Sequence, residues 1–289
     1  MRGHDIIEQA ADRWGPEAEH NGRAGACDGA GLLSGRVALV SGVGPNLGRA
    51  AALALARAGA RLVIAARKQS SLDRLAEEVS STGAEVLAVP GDTTSPEDRA
   101  RLVRAIAERF GALDVVVNNA FAEEDWATFE GFDLARWQRP FEVNLFATLG
   151  LDQELLGLLK VGSGSSVITV NTLSTRVVNP VLGGYASSKR ALMTAVQVMA
   201  KELGEHGVRF NCVAPGHMKG EALEQYFAYL GARRGVDPSV VEGEIAALTA
   251  LGRIPTADEV AGAIVFLASD LARAITGQTL DVNAGRHMH

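Results

Sequence analysis

The sequence of 289 residues predicts an α/β protein with one doubly wound parallel sheet of about seven strands and helices on both faces. Three observations lead to this prediction. From Gly35 onward, short β-branched runs alternate with Ala- and Leu-rich runs of helical period. The β-branched runs are apolar along their length, as in strands that are buried on both faces. A glycine-rich segment, Ser41 to Ala50, lies between the first strand-like run and the first helical run.

The alternation assigns the elements in chain order. Strands are predicted at "RVALV", "RLVIAA", "EVLAVPGD" and "DVVVNNA", with helices at "LGRAAALALARAG", "SSLDRLAEEVSSTG" and "SPEDRARLVRAIAERFG" between them. One long helix from "DLARWQ" to "LLGLLK" then precedes strands at "SSVITVN", "RFNCVAP" and "TLDVN", which are separated by helices at "YASSKRALMTAVQVMAKELGEHG" and "ADEVAGAIVFLAS". Strands separated by helices of this length form βαβ units, whose strands all end at one edge of the sheet.

Two segments depart from this alternation. Residues 1–34 are mostly polar and glycine-rich, and we interpret them as a flexible N-terminal extension of a single domain at residues 35–289. Residues 217–251 connect the sixth strand to the last helix on the ligand-binding side, so they are predicted to form a lid over the substrate. Aromatic residues in an amphipathic stretch of this lid either line a pocket for a bulky ketone or only pack the lid itself. They are Tyr226, Phe227 and Tyr229.

Charge and cysteine content exclude several classes of protein. The formal net charge is -6 and the isoelectric point is about 5.6, which argues against binding along a nucleic-acid backbone. No apolar run reaches membrane-spanning length, and no signal-peptide pattern begins the sequence. Cys27 and Cys212 are far apart in the sequence and have no metal-ligand spacing. We therefore expect a soluble cytoplasmic protein without a metal site.

The glycine-rich segment has the position of a phosphate-binding loop. The free amides and the positive end of the helix that follows it would meet a pyrophosphate, although an ordinary strand-to-helix turn is the alternative. Gly42 is predicted to make the turn, and Gly48 to allow close packing of helix and strand. Asn46 stands where a third glycine is expected. Because asparagine tolerates positive φ better than most residues, we expect the loop to keep its shape.

Two further segments are distinctive. "NNA" (Asn118 to Ala120) follows the fourth predicted strand, and "YASSK" (Tyr185 to Lys189) opens a predicted helix. Together with the glycine-rich segment, they make the sequence resemble the classical short-chain dehydrogenase/reductase family over about residues 35–285. The resemblance implies a Rossmann-like fold, a nicotinamide cofactor and a small carbonyl or alcohol substrate. The cofactor-binding residues that it implies are Ser41, Gly42, Asn46, Leu47, Gly48, Asp92, Asn118, Ala120, Tyr185, Lys189, Pro215 and Gly216.

The resemblance also implies a catalytic set. Tyr185 would exchange a proton with the substrate oxygen, which requires its pKa to fall from about 10. Lys189 lies four residues further along the predicted helix, and its positive charge favours tyrosinate. Thr172 has the place of the family's catalytic serine and would polarise the carbonyl, with Ser174 as the alternative. Asn144 is implied to support Lys189 through water, or else it is a core amide that is bonded for structure alone.

Four positions depart from the family pattern. Ser41 replaces a threonine, Asn46 replaces a glycine, and Phe121 replaces the glycine that follows "NNA". Gly220 stands where the family often has a threonine that holds the nicotinamide carboxamide. Asn46, Phe121 and Thr172, which replaces a serine, motivate an alternative function, a nucleotide-sensing binding protein without turnover on the same fold. Retention of the complete Tyr, Lys and Asn set favours the enzyme.

The residues after the second strand favour NADP(H) over NAD(H). An NAD site places a carboxylate there to bind the ribose 2′-hydroxyl, but this sequence has Ala66 followed by Arg67 and Lys68. A guanidinium grips a 2′-phosphate through two hydrogen bonds, so Arg67 is the predicted phosphate ligand. The alternative is that both cations are solvated loop charges.

The sequence leaves the substrate and the assembly less defined. A cyclic, polyketide-like or 3-oxoacyl ketone suits the aromatic lid, and Arg233 and Arg234 either attract an anionic substrate or form a solvated helix end. The resemblance implies a homotetramer, with a homodimer as the alternative. The contacts would come from the helices that begin near Arg136 and Tyr185 and from the neighbourhood of the last strand.

Overall fold

The structure is a computed structural model that describes residues 31–123, 126–131, 133–162 and 164–288. The predictions for residues 1–30 of the N-terminal extension lie outside the described residues. The strands are β1 (Val37–Ser41), β2 (Arg61–Ala66), β3 (Val86–Pro90), β4 (Val115–Asn118), β5 (Ser166–Val170), β6 (Arg209–Pro215) and β7 (Thr279–Val282). The α-helices are α1 (Leu47–Arg57), α2 (Gln69–Ser80), α3 (Pro96–Phe110), α4 (Leu134–Pro140), α5 (Thr148–Leu159), α6 (Gly183–Leu203), α7 (Glu221–Arg234), α8 (Pro238–Ala247) and α9 (Ala257–Ala268).

The seven strands form one parallel sheet in the order β3-β2-β1-β4-β5-β6-β7. The predicted fold class is thus confirmed. Chain order reverses between β1 and β4, and ligands of such sheets bind beyond the carboxyl ends of the strands at this switch point. Near these ends, one row of residues that pair across neighbouring strands is polar. Ser41 of β1 pairs with Asn118 of β4, which pairs with Thr169 of β5, and Thr169 pairs with Cys212 of β6.

Apolar side chains cover both faces of the sheet, as the continuous apolar strands predict. Helices α1, α2 and α9 pack on one face, and α3, α5 and α6 pack on the other. A third, smaller cluster joins α7 and α8, through Phe227, Val241 and Ile254. Within the described residues, no helix has the length and apolarity needed to cross a membrane.

Two predicted segments differ in detail from the structure. The single long helix predicted after β4 is wrong, because α4 and α5 are separated by a π-helical segment at Phe141–Ala147. Pro140 has no amide hydrogen, so the α-helical ladder is interrupted where the wider turns begin. The predicted lid contains two helices, of which α8 was not predicted. It begins with Asp237, whose side chain caps the helix, and Pro238.

Candidate active site

The loop after β1 packs directly on the loop after β4. Gly42 has a φ of 85°, and a Cβ at this position would lie 2.3 Å from the amide nitrogen of Ala120. The Asn119 side-chain amide also donates to the Gly42 carbonyl at 2.6 Å. A Cβ at Gly48 would lie 2.9 Å from the Gly42 oxygen and from the Val43 Cα. The turn predicted at Gly42 and the close packing predicted at Gly48 are therefore both present.

Asn46 does not use the positive φ that asparagine tolerates well. Its φ is −101°, and the positive φ within the loop belongs to Gly42. Asn46 precedes the first residue of α1 but makes no side-chain capping hydrogen bond. Its carboxamide instead lies against Gly220, since a Cβ built on Gly220 would be 2.8 Å from Asn46 Nδ2. The asparagine side chain turns towards the predicted lid, and its backbone, with a φ of −101° and a ψ of −110°, lies outside both the α-helical and the extended regions.

The residues of the β1–α1 loop fit the phosphates of a dinucleotide. The Asn46 side chain does not cap α1 and its first turn has no acidic residue, so the positive dipole end of the helix faces the loop without a competing carboxylate, although the Arg49 amide already donates to the Gly44 carbonyl at 3.0 Å. A Cβ at Gly44 would meet no atom within 4 Å, which leaves open space beside the loop. Leu47 and Gly48, the first two helical residues, are buried. The side chains of Ser41 and Asn118 are also buried, so these two residues lie beneath the cleft.

Arg67 and Asp92 lie at neighbouring strand ends, after β2 and β3. Arg67 is exposed. Asp92 Oδ1 accepts hydrogen bonds from the Thr94 amide at 2.9 Å and the Thr94 hydroxyl at 2.8 Å. Burial raises the pKa of Asp92, but these hydrogen bonds and the positive charge of Arg67 lower it, and the net shift is downward. The structure thus places an exposed cation and an ionised carboxylate at the edge where the second half of a dinucleotide would extend.

Tyr185 and Lys189 are one turn apart in α6, and both are buried. The Lys189 ammonium donates to the main-chain carbonyl of Val170, at the end of β5, at 2.8 Å. The Lys189 carbonyl accepts a hydrogen bond from the side-chain amide of Asn171 at 3.0 Å. Burial lowers the pKa of Lys189 to about 8, so the ammonium is still largely charged at neutral pH. These contacts hold α6 against the strand end that leads to Thr172.

Thr172 is half-buried and begins a short 3₁₀ helix at Leu173–Thr175. Its hydroxyl oxygen accepts from the Ser174 amide at 3.2 Å and lies 3.4 Å from the Ser174 hydroxyl. The two predicted hydroxyl donors are therefore neighbours, and Ser174 remains an alternative. The Pro215–Gly216 turn lies beside the same helix, because a Cβ at Gly216 would be 3.5 Å from Leu173 Cδ2.

Asn144 is fully buried within the π-helical segment. Its side-chain oxygen accepts from the Ala122 amide at 2.8 Å, and its amide donates to the Ala122 carbonyl at 3.0 Å and to the Ser188 hydroxyl at 2.9 Å. Ser188 in turn donates to the Tyr185 carbonyl at 2.8 Å. The carboxamide thus ties the loop after β4 to α6. Both amide hydrogens are engaged, so the predicted water-mediated support of Lys189 cannot use them and stays a prediction.

We call Phe121, Trp126 and Tyr226 the aromatic rim: Phe121 contacts the Tyr185 ring, and Trp126 contacts Tyr226. Phe121 is 59% exposed, and its ring meets that of Tyr185 edge-on with centroids 6.4 Å apart. Trp126 is 54% exposed and its centroid lies 5.7 Å from that of Tyr226, on α7. Exposed rings of this size next to a reacting group can contact a large apolar substrate.

The two lid arginines have partners within the lid. Arg234 forms two hydrogen bonds with the Glu244 carboxylate, at 2.6 and 2.7 Å. The Arg233 guanidinium lies over the Tyr229 ring, 5.8 Å from its centroid. The helix-end interpretation of this pair therefore describes the structure better than attraction of an anionic substrate.

The same arrangement of strands and motifs occurs in known proteins. The family model described as enoyl-(acyl carrier protein) reductase matches residues 42–287. An uncharacterized oxidoreductase of Methylorubrum extorquens is 34% identical over 254 residues, which cover 88% of this chain and 98% of the relative. A short chain dehydrogenase/reductase of Aspergillus oryzae is 32% identical over 255 residues, or 88% of this chain and 95% of the relative. The chain belongs to the short-chain dehydrogenase/reductase family.

A solved structure agrees with this assignment. The L-sorbose reductase of Gluconobacter frateurii, determined in complex with NADPH and L-sorbose, has a TM-score of 0.83 and 26% sequence identity to this chain. The match covers 89% of this chain and 98% of that protein. As a member of the short-chain dehydrogenase/reductase family, the protein is an oxidoreductase that uses a nicotinamide cofactor.

One buried residue next to this site was not predicted from the sequence. Asp152 of α5 is 1% exposed, and its Oδ1 accepts from the Asn118 side-chain amide at 2.8 Å. Its Oδ2 has no hydrogen-bond partner within the described residues. Burial raises the pKa of Asp152 to about 7, although the Asn118 hydrogen bond opposes the shift. The "NNA" segment of this oxidoreductase therefore rests on a carboxylic acid that is partly protonated at neutral pH.

Proposed function

We propose that this protein is an NADP(H)-dependent enzyme that interconverts a ketone and a secondary alcohol and acts mainly as a carbonyl reductase. The observation that carries the proposal is the placement of Lys189. Its buried ammonium donates to the carbonyl of Val170 at the end of β5, two residues before Thr172. Lys189 also lies one helical turn from Tyr185. A buried cation next to a tyrosine is the arrangement that an acid–base tyrosine requires.

Each residue of this arrangement has a separate task. Tyr185 delivers a proton to the substrate oxygen in reduction and removes it in oxidation. Lys189 favours the tyrosinate form through its positive charge, and the low-dielectric surroundings strengthen that effect. Thr172 donates a hydrogen bond to the carbonyl oxygen and polarises it. When bound, the nicotinamide supplies or accepts the hydride.

The preference for NADP(H) rests on Arg67. This exposed guanidinium follows β2, at the place where an NAD site has a carboxylate. Its neighbours in the sequence are Ala66 and Lys68, and neither is acidic. A planar guanidinium suits a 2′-phosphate because it can form two parallel hydrogen bonds. The complex of the L-sorbose reductase with NADPH is consistent with this preference.

The aromatic rim supports a bulky substrate, such as a cyclic, polyketide-like or 3-oxoacyl ketone. Phe121 offers exposed apolar surface next to Tyr185, and Trp126 and Tyr226 form a second aromatic contact between the loop after β4 and α7. We further propose that the enzyme works in the cytoplasm as a homotetramer or a homodimer, as the sequence predicts.

The test is a screen for carbonyl-dependent oxidation of NADPH by the purified protein. We expect turnover with cyclic ketones or 3-oxoacyl thioesters, and slower turnover with small acyclic ketones. NADPH binding without turnover on any carbonyl or alcohol would contradict the enzyme and favour the nucleotide-sensing protein that Asn46, Phe121 and Thr172 suggest.

A further inference from the structure

Two nitrogen-bearing side chains beyond the carboxyl ends of β6 and β7 have unpartnered buried atoms. His217 follows the Pro215–Gly216 turn, and Arg286 lies shortly after β7; both are half-buried. Among the described residues, the buried His217 Nδ1 and Arg286 Nη1 atoms form no hydrogen bond, and the Arg286 guanidinium has no ion-pair partner. A guanidinium nitrogen that is shut off from water without an acceptor is unfavourable, so Arg286 is expected to bind an acceptor that the described chain does not supply.

The fold brings the segments that carry these two side chains together. Pro215 of β6 pairs with Val282 of β7, so the segments that follow the two strands leave the sheet side by side. A Cβ at Gly216 would lie 3.2 Å from the Asn283 Cβ. The Arg286 amide turns back and donates to the Asn283 carbonyl at 3.1 Å. The turn after β6 and the turn after β7 are therefore in contact.

The electrostatics of the pair favour an anion. Burial lowers the pKa of His217, the nearby positive charge of Arg286 lowers it further, and no described carboxylate opposes the shift. The imidazole is therefore mostly neutral at pH 7 but still donates one hydrogen bond, while the guanidinium keeps its charge and its donors. A carboxylate would satisfy both groups, because it accepts two parallel hydrogen bonds from a guanidinium and a further one from an imidazole.

The pair lies beside the loop that carries Thr172, the proposed donor to the substrate carbonyl. A Cβ at Gly216, the residue before His217, would be 3.5 Å from Cδ2 of Leu173, which follows Thr172. Arg67, the proposed ligand of the 2′-phosphate, follows β2, and β1, β4 and β5 lie between β2 and β6. Four strand spacings correspond to about 19 Å. An anion at the pair therefore belongs to the reacting end of the cleft and not to the 2′-phosphate.

We propose that His217 and Arg286 bind a carboxylate of the substrate. The substrate class is then a ketone that carries a carboxylate, and not a neutral ketone. The inference rests on the proposed function, because it assigns a group of the substrate to the same site. It also places the anion-binding group outside the lid, where Arg233 and Arg234 already have partners.

The test compares 3-oxocyclohexane-1-carboxylate with its methyl ester, which has a similar shape and no charge. The kcat/KM for NADPH-dependent reduction of each compound is measured for the unaltered protein, Arg286→Met, Arg286→Lys and His217→Gln. Arg104→Met is the matched control, because Arg104 is exposed on α3. We expect this control to keep both kcat/KM values of the unaltered protein.

We expect the unaltered protein to prefer the carboxylate by about tenfold or more, as for a hydrogen bond between charged groups. The ratio of the two kcat/KM values should fall by about tenfold or more in Arg286→Met. It should fall less in Arg286→Lys, which keeps the charge and loses the planar fork, and less in His217→Gln, which keeps a donor.

Thermal unfolding separates this role from a structural one. Without substrate, removal of an unpartnered guanidinium should leave Tm unchanged or raise it, whereas a clearly lower Tm for Arg286→Met would identify a structural arginine and overturn the inference. With NADP⁺ present, the carboxylate should raise the Tm of the unaltered protein more than the ester does. This difference should be absent in Arg286→Met.

The outcomes distinguish this inference from the proposed function. If the ratio is unchanged in Arg286→Met and the carboxylate gives no greater rise in Tm than the ester, the inference is wrong, and reduction of the ester still supports the enzyme. Weaker NADPH binding by Arg286→Met with an unchanged ratio would assign the pair to the cofactor and also overturn the inference. If no carbonyl compound is reduced in the wider screen, the proposed function is wrong, and the carboxylate-dependent rise in Tm alone decides whether the pair binds an acid.

Discussion

Replacement of Asp152 by asparagine should change how the stability of the protein depends on pH. The Asp152 carboxyl is fully buried on α5, one oxygen accepts from Asn118, and the other has no partner within the described residues. Burial raises its pKa from an ordinary value of 3.8 to about 7. The native state therefore binds this proton more tightly than the unfolded state does. The stabilisation from Asp152 is fully present below about pH 4 and is lost as the pH rises through about 7.

The size of the effect follows from the two pKa values. Three pKa units correspond to roughly 4 kcal/mol between the protonated and the ionised carboxyl, at 1.36 kcal/mol per unit. Between about pH 5 and about pH 8, the unaltered protein should lose roughly 2 to 3 kcal/mol through this group. An asparagine has nearly the same shape and cannot ionise, so the Asp152→Asn protein should be free of that loss. Its free energy of unfolding should rise relative to the unaltered protein by the same amount over this range.

The assay is urea unfolding of both proteins at the two pH values, followed by circular dichroism and analysed by linear extrapolation. Asp73→Asn is the matched control, because Asp73 is an exposed carboxylate on α2. A difference in unfolding free energy between Asp152→Asn and the unaltered protein that is the same at both pH values would refute the reasoning. It would mean that the buried carboxyl is ionised in the native state at both pH values, as it is in the unfolded chain.

The active site supports three further predictions. Tyr185→Phe should lower turnover by at least about 10²-fold through loss of the general acid, with NADPH affinity nearly unchanged in a titration; retained turnover would mean that another group supplies the proton. Arg67→Glu should weaken NADPH binding by at least about tenfold through loss of a charge-assisted contact and should affect NADH much less, whereas equal losses for the two cofactors would refute the NADP(H) preference. Phe121→Ala should lower kcat/KM for a bulky cyclic ketone by about two- to tenfold, as for loss of one aromatic contact, and should affect a small acyclic ketone less; an equal effect on both would exclude Phe121 from the substrate site.

The sheet was predictable because its signals are local. Each strand is a short apolar run, each connection is a helix of ordinary length, and a parallel sheet that is covered on both faces is the arrangement that buries such strands. The position of the site follows from the same pattern, since the glycine-rich segment and "NNA" lie at carboxyl ends of strands, and "YASSK" opens the helix that follows β5. The roles of Gly42 and Gly48 were predictable because glycine is the residue that a close backbone contact requires. In the structure, neither position has room for a Cβ.

The features that were missed depend on contacts between distant segments. The Asn46 side chain lies against Gly220, which is 174 residues later in the chain, so its placement could not be read from the local sequence. The π-helical segment was missed because a single added residue per turn does not change an apolar pattern enough to be seen, although Pro140 marks its start. Asp152 could have been found, because it falls on the helical stripe of buried residues in α5, with Thr148, Leu151, Leu155 and Leu159.

The central claim is that the loop after β1 holds a nicotinamide dinucleotide with a 2′-phosphate. Fluorescence titration of the purified protein with NADPH, and separately with NADH, tests it most directly, because the glycine-rich loop and Arg67 contribute to the same binding constant. We expect saturable binding of both cofactors, with NADPH bound at least about tenfold more tightly, as expected for one charge-assisted phosphate contact. Failure to bind either cofactor would contradict the account, since it would mean that Asn46 closes the phosphate site.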